Sequence, residues 1–307
     1  MGKDDCSLFS PWVGRAVPGL TESCHSSARN LWDAIGSYGT VLLWNPPTPM
    51  PFVRRAFVLL LLCGLSAGPA AAQPTAAPDS LSLSQIDGAT LQSTTLRYDV
   101  TVTAGGQSRT FSAVRALTAT QTGGRDTWTV TDRTSLPQAT VVDSLVLNRT
   151  TLRPVMRRLS GPMTMTVSYT DTSATGELQL RGRSQRIDAS FDRPTLAGGA
   201  NVRMALAALP LAPGVSATLP IYNEQQQSTQ TLRFDVTGTE SVASPAGTYD
   251  TFVVSIQSSG GGLSGTLHVR QTAPHHIVES TLTQPGPRGD RTFTRTLTSI
   301  GSNGPAD

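Results

Sequence analysis

The side chains able to do acid–base, nucleophilic or metal chemistry are few in this chain. Beyond residue 49 the histidines are His268, His275 and His276. With a turn over Gln271 to Pro274, His268 and His275 fall on one face of a hairpin, and Glu279 lies two pairs along. Two imidazoles and a carboxylate can hold Zn²⁺ with a water as fourth ligand. The helical spacing of zinc motifs is missing, however, and rim histidines beside Val269 account for the same pattern. No metal is therefore expected, with His268, His275 and Glu279 the only candidates. Ser264 lies in Gly262-Leu-Ser-Gly265, but a nucleophile elbow needs a further glycine where Thr266 stands. Asp188 and Asp192 sit at strand spacing and read as a solvated face. Lys3 is the only lysine, which sets aside Schiff-base, Ser-Lys and P-loop chemistry in the folded region. The sequence thus predicts neither an enzyme nor a cofactor. Arg295 is the most informative single residue: it lies between Phe293 and Leu297 and so points with the apolar set. An inward arginine can bind an anionic head group or pair with a carboxylate. A rim arginine that reaches back to water is the alternative.

These residues sit on short alternating runs. From Ser244 to Ile300 each run is bounded by Gly or Pro, the signature of an antiparallel meander. Upstream, Leu96, Tyr98, Val100 and Val102 alternate with Arg97, Asp99, Thr101 and Thr103. Met163, Met165, Val167 and Tyr169 alternate with Thr and Ser in the cleanest period of two, and Val141 to Leu147 is nearly continuous apolar. One face is apolar and the other is covered by Thr, Arg and Asp, as a sheet with one wet side requires. A single segment breaks the period. Asn201 is placed to cap a short helix carrying Val202, Ala205, Leu206 and Leu209, and Pro210 stops it. Thr95-Leu-Arg-Tyr-Asp-Val-Thr101 is echoed by Thr231-Leu-Arg-Phe-Asp-Val-Thr237. The flanks do not continue the match, so equivalent strand environments explain it better than a repeat.

The N-terminal region reads differently. Met50 to Arg55 is a basic head, Ala56 to Leu65 an apolar run, and Ala70-Ala-Ala72 a small-residue exit before Gln73, together a secretory signal peptide. The run is shorter than the ~20 residues of a spanning helix and carries Gly64, Gly68 and Pro69. Residues 1–49 are then an upstream over-extension, 50–72 the signal, 73–90 a Pro/Ala/Ser-rich linker, 91–301 one β domain and 302–307 a tail. Cys6, Cys24 and Cys63 all precede the cleavage point, so the exported chain has no thiol to pair or react. The +3 formal charge is spread along the chain, not gathered into the stripe that nucleic acid needs.

Ser244-Pro-Ala-Gly-Thr-Tyr-Asp-Thr-Phe-Val-Val-Ser, the strand Gly265 to Arg270, and Ala273-Pro-His-His-Ile-Val resemble the bacterial domain of unknown function 3108 family. Asp143-Ser-Leu-Val-Leu-Asn-Arg-Thr-Thr-Leu-Arg-Pro154 is similar to its lead-in to the middle strands, and the likeness runs from about Arg97 to Ile300. The resemblance implies a lipoprotein-carrier-like envelope protein with a curved sheet wrapped around a helix. It supplies no catalytic residue.

The fold expected is all-β and mainly antiparallel: a curved sheet or open half-barrel of roughly ten or more strands, with one short helix on its concave face. The expected role is non-catalytic, in the periplasm or outside the cell. An apolar or lipid-like ligand, or an envelope protein, would meet Met163, Met165, Val167, Tyr169, Leu206 and Arg295. The alternative is a structural or interaction protein whose interior is filled; a hydrolase of unrecognised type comes third. No nucleic-acid partner and no membrane span in the mature chain are expected.

Overall fold

The computed structural model describes residues 80–286 and 289–301. The over-extension, signal peptide and tail expected above lie outside them. Strand β1 is Ser80–Leu81, and the first meander runs β2 Thr94–Ala104, β3 Gln107–Thr122, β4 Arg125–Leu136, β5 Ala139–Asn148, β6 Pro154–Ser160, β7 Met163–Tyr169, β8 Ser173–Leu180 and β9 Arg183–Ser190. Strand β10 (Leu196–Ala197) and helix α1 (Ala200–Ala207) follow. The second meander is β11 Ser216–Asn223, β12 Ser228–Ser244, β13 Gly247–Ser258, β14 Ser264–Arg270, β15 Ile277–Gln284 and β16 Arg291–Gly301.

Period-two patterning sets which face each strand buries. Leu96, Tyr98, Val100 and Val102 of β2 are buried, as are Met165, Val167 and Tyr169 of β7, while Thr164, Thr166 and Ser168 are exposed. Tight turns join the long strands. Gly105-Gly106 has φ of 56° and 77°, and Gly123-Gly124 has 57° and 75°. Two consecutive positive φ values are what a two-residue hairpin matching strand twist requires, and glycine takes them without a Cβ clash.

All sixteen strands join one sheet, in the order β1-β11-β12-β13-β14-β15-β16-β2-β3-β4-β5-β6-β7-β8-β9, with β10 also on β11. β1 and β10 pair parallel to β11, and every other ladder is antiparallel. Among the described residues no ladder connects β9 back to β11, so the sheet is open. It nonetheless curls back on itself. Arg157 of β6 bonds Glu224, just past β11, although those strands lie near opposite ends of the order. The chain crosses the inside of this curl through β10 and α1. All but one residue of α1 is buried, as a helix enclosed by a sheet must be.

Two expectations change in detail. Asn201 does not cap the helix; Gly199 precedes it at φ 66°. The Asn201 amide instead accepts from the Ala197 N–H and donates to the Leu152 carbonyl, at 2.9 Å each. A fully buried amide needs both partners, and β10 and the β5–β6 connection supply them. In addition, residues 80–91, within or beside the compositional linker, pack on the core through Leu81, Ile86 and Leu91. Gly88 in this stretch accepts the Trp128 indole N–H at 2.9 Å. A Cβ at Gly88 would lie 2.3 Å from the Arg149 carbonyl oxygen, so only glycine permits that approach.

Candidate functional site

The inner face of the sheet carries a row of charge. Arg115 takes the inward position between Ala113 and Leu117 on β3, directly opposite Asp132 on β4. Asp132 is directly opposite Asp143 on β5, and Arg157 on β6, opposite Leu145, reaches Asp143 from two residues along. Two carboxylates side by side repel unless cations flank them, and here an arginine closes each end. Arg115 donates to both oxygens of Asp132 at 2.6 Å. Arg157 does the same to Asp143 at 2.9 and 2.8 Å. Both forks have the bidentate geometry that makes arginine–carboxylate pairs strong.

Helix α1 sits on this row. A Cβ at Gly199 would come within 2.9 Å of Arg157 Nη2 and 3.3 Å of Asp143 Oδ2, so the missing side chain lets the backbone close over the second pair. One turn on, Arg203 Nη2 donates to Asp132 Oδ2 at 2.7 Å. Asp132 thus serves two guanidinium groups. Burial alone would raise its pKa, but Arg115, with Arg203 and Arg295, holds its carboxyl far below the usual range. For Arg203 the balance runs the other way. Burial, then Arg115 and Arg295, pull its pKa down to about 9. Its Nε is buried without a hydrogen-bond partner.

A small cleft opens at this point. Leu96, Met204, Leu206, Val269 and Ile277 supply apolar walls, and Arg115, Arg203 and His276 supply the polar side. Its free space is about that of one water molecule. Burial, reinforced by Arg270, Arg115 and His275, lowers the His276 pKa to about 4, so its ring is neutral at pH 7. Tyr98 also borders the cleft; its hydroxyl donates to the Ile277 carbonyl at 3.2 Å, and the Arg295 guanidinium lies 5.0 Å from its ring centre.

At the other end of the row Arg157 also donates to Glu224 Oε1 at 2.8 Å. That oxygen accepts the Tyr169 hydroxyl at 2.5 Å. Burial first, and then Glu224, push the Tyr169 phenol well above its ordinary pKa, so it stays a donor. This cluster is fully bonded and ties β6 and β7 to the end of β11.

The residues singled out from sequence divide four ways. Met165, Val167 and Tyr169 are buried in the core, and Met163 packs against it half-buried. Leu206 is both core and cleft wall. Arg295 faces inward, half-buried over Tyr98. His268, His275 and Glu279 do not converge. A bulge after His268 places Glu279 directly opposite it, not two pairs along. His268 Nδ1 lies 3.8 Å from Glu240, while His275, in the β14–β15 connection, bonds the Arg270 carbonyl through Nδ1 at 2.8 Å. Among the described residues no group of three or more His, Cys, Asp or Glu is placed to hold a metal. Arg115, Asp132, Arg157 and Arg203 were not anticipated. The alternation itself marks Arg115, which shares the parity of Phe111, Ala113 and Leu117.

Taken together, these features define an open, curled antiparallel β domain wrapped around one helix, with a charged row beneath it. The chain belongs to the family described as protein of unknown function DUF3108, which it matches over residues 97–276. No curated protein matches it in sequence. Among solved structures it is similar to a β-barrel-like protein of domain of unknown function DUF1849 from Brucella abortus, at 11% identity, 70% of this chain, 99% of that one and a TM-score of 0.44. It is also similar to a DUF1329 family protein from Desulfovibrio piger, at 12% identity, 73% of this chain, 90% of that one and a TM-score of 0.29. No helix among the described residues is long and apolar enough to cross a membrane.

Proposed function

We propose that the protein is a non-catalytic β domain of the cell envelope, exported by the signal segment at 50–72, that binds an apolar or lipid-like ligand beside α1. The observation that carries this reading is the cleft. It opens between helix and sheet, its walls are Leu96, Leu206, Val269 and Ile277, and Met204 stands at its side. As packed, the cleft admits little more than a water-sized group, so a longer chain enters only as side chains move. Met204 is suited to that because an unbranched thioether repacks easily.

One observation favours the second reading, a structural or interaction domain with a filled interior. Met165, Val167 and Tyr169 are core side chains, so the groove expected beside them is occupied by protein. Native mass spectrometry separates the two readings. The full chain, expressed in a bacterial host and recovered after export, should carry a lipid-sized adduct or take up added lauric acid. Absence of both leaves the filled-interior reading.

A further inference from the structure

The row beneath α1 has one loose end. Arg157 spends its guanidinium on Asp143 and Glu224, and Arg115 spends its own on Asp132. Arg203 has only a share of one Asp132 oxygen, which Arg115 also uses. Its Nε–H is buried with no acceptor, a cost that native proteins seldom carry without a reason. About a quarter of the Arg203 side chain still reaches solvent, although Nε itself is buried. The other polar side chains lining the cleft, those of Tyr98, Arg115, His275 and His276, do not accept from it.

We propose that this cleft is an anion site: the carboxylate or phosphate terminus of an amphiphile docks on Arg203, beside Arg115, with its apolar part against Leu96, Leu206, Val269 and Ile277. The apolar half of the proposal rests on the function proposed above; the anionic half does not. An incoming oxygen would accept from Arg203 Nε and relieve the crowding of guanidinium groups around Asp132. A planar fork favours carboxylate and phosphate over neutral acceptors. The size of the cleft fits a terminal oxygen rather than a whole head group.

The test compares four probes on the full chain by isothermal titration: lauric acid, dodecyl phosphate, dodecanol and inorganic phosphate. In parallel, the Arg203 Nε–Hε signal of the unaltered protein is followed by NMR. Lauric acid and dodecyl phosphate should bind at least about tenfold more tightly than dodecanol, and Arg203→Met should erase that preference. The Nε–Hε signal should shift with either anion, a readout independent of how the variant folds. Inorganic phosphate shifting the signal while no alkyl probe binds upholds the anion site and removes the apolar ligand. Dodecanol binding as tightly as laurate upholds the apolar ligand and overturns the anion site. If no probe binds and the signal stays fixed, a water alone fills the cleft and the inference fails.

Discussion

Glu224 is the residue whose removal most directly tests how the curled sheet is held. Its carboxylate is 4% exposed, and the Arg157 guanidinium that it meets is 3% exposed. Glu224→Ala deprives two buried donors of one acceptor, the Arg157 Nη1–H at 2.8 Å and the Tyr169 hydroxyl at 2.5 Å. Breaking a buried pair by deleting one partner costs about 3–5 kcal/mol. Arg157 keeps its bidentate bond to Asp143, so the lower end, about 3 kcal/mol, is expected. For a domain of this size each kcal/mol moves the midpoint by about 2–4 °C, giving a loss of about 6–12 °C by calorimetry. Glu224→Gln leaves a neutral acceptor of the same shape and should lose about 1–2 kcal/mol. Asp188 provides the control. Its pair with Arg186 is 62% and 82% exposed, and Asp188→Ala should shift the midpoint by less than about 2 °C. If the Glu224→Ala protein melts with the Asp188→Ala control, the network contributes nothing to closing the curl.

Two further outcomes follow from the same region. His276 has its pKa lowered from 6.5 to about 4, so below pH 6.5 the unfolded chain takes up a proton that the native ring refuses. Its contribution to stability is intact above pH 6.5 and falls by up to about 3 kcal/mol as the pH drops to 4. His276→Phe should flatten urea-derived stability across that interval, and an unchanged slope contradicts the assignment. Gly199 has a φ of 66° and faces Arg157 and Asp143, whereas Gly105 has a φ of 56° with open space around it. Gly199→Ala should therefore destabilise by about 2 kcal/mol more than Gly105→Ala, from the clash added to the backbone strain. Equal losses in denaturant unfolding would remove the close approach of α1 to the ion pair as the reason.

Alternation of apolar and polar residues was enough to read most strands and their buried faces. Leu96, Tyr98 and Val100 are buried on β2, and the echoed Leu232, Phe234 and Val236 are buried on β12, so the likeness of the two segments reflects matching environments. Gly and Pro marked the ends of the runs from Ser244 to Ile300, and i, i+3, i+4 spacing marked the helix, because those signals are local. What Asn201 does was not legible, since one of its two partners, the Leu152 carbonyl, lies 49 positions away.

The charged row shows the limit most clearly. Parity alone places Arg115, Asp132, Asp143 and Arg157 inward, but a slip of one residue would turn any of them to solvent. Only the pairing register sets Arg115 against Asp132 and Asp132 against Asp143. Arg203 meets Asp132 across 71 positions, and Glu224 meets Arg157 across 67. Such contacts arise only once the sheet has curled and the crossing helix has been laid inside it. Propensity and periodicity act over a few residues, so they sufficed to specify a wet-faced sheet and one apolar helix. That four inward charges become a neutralised row with one arginine donor left over depends on which distant strands the curl brings together.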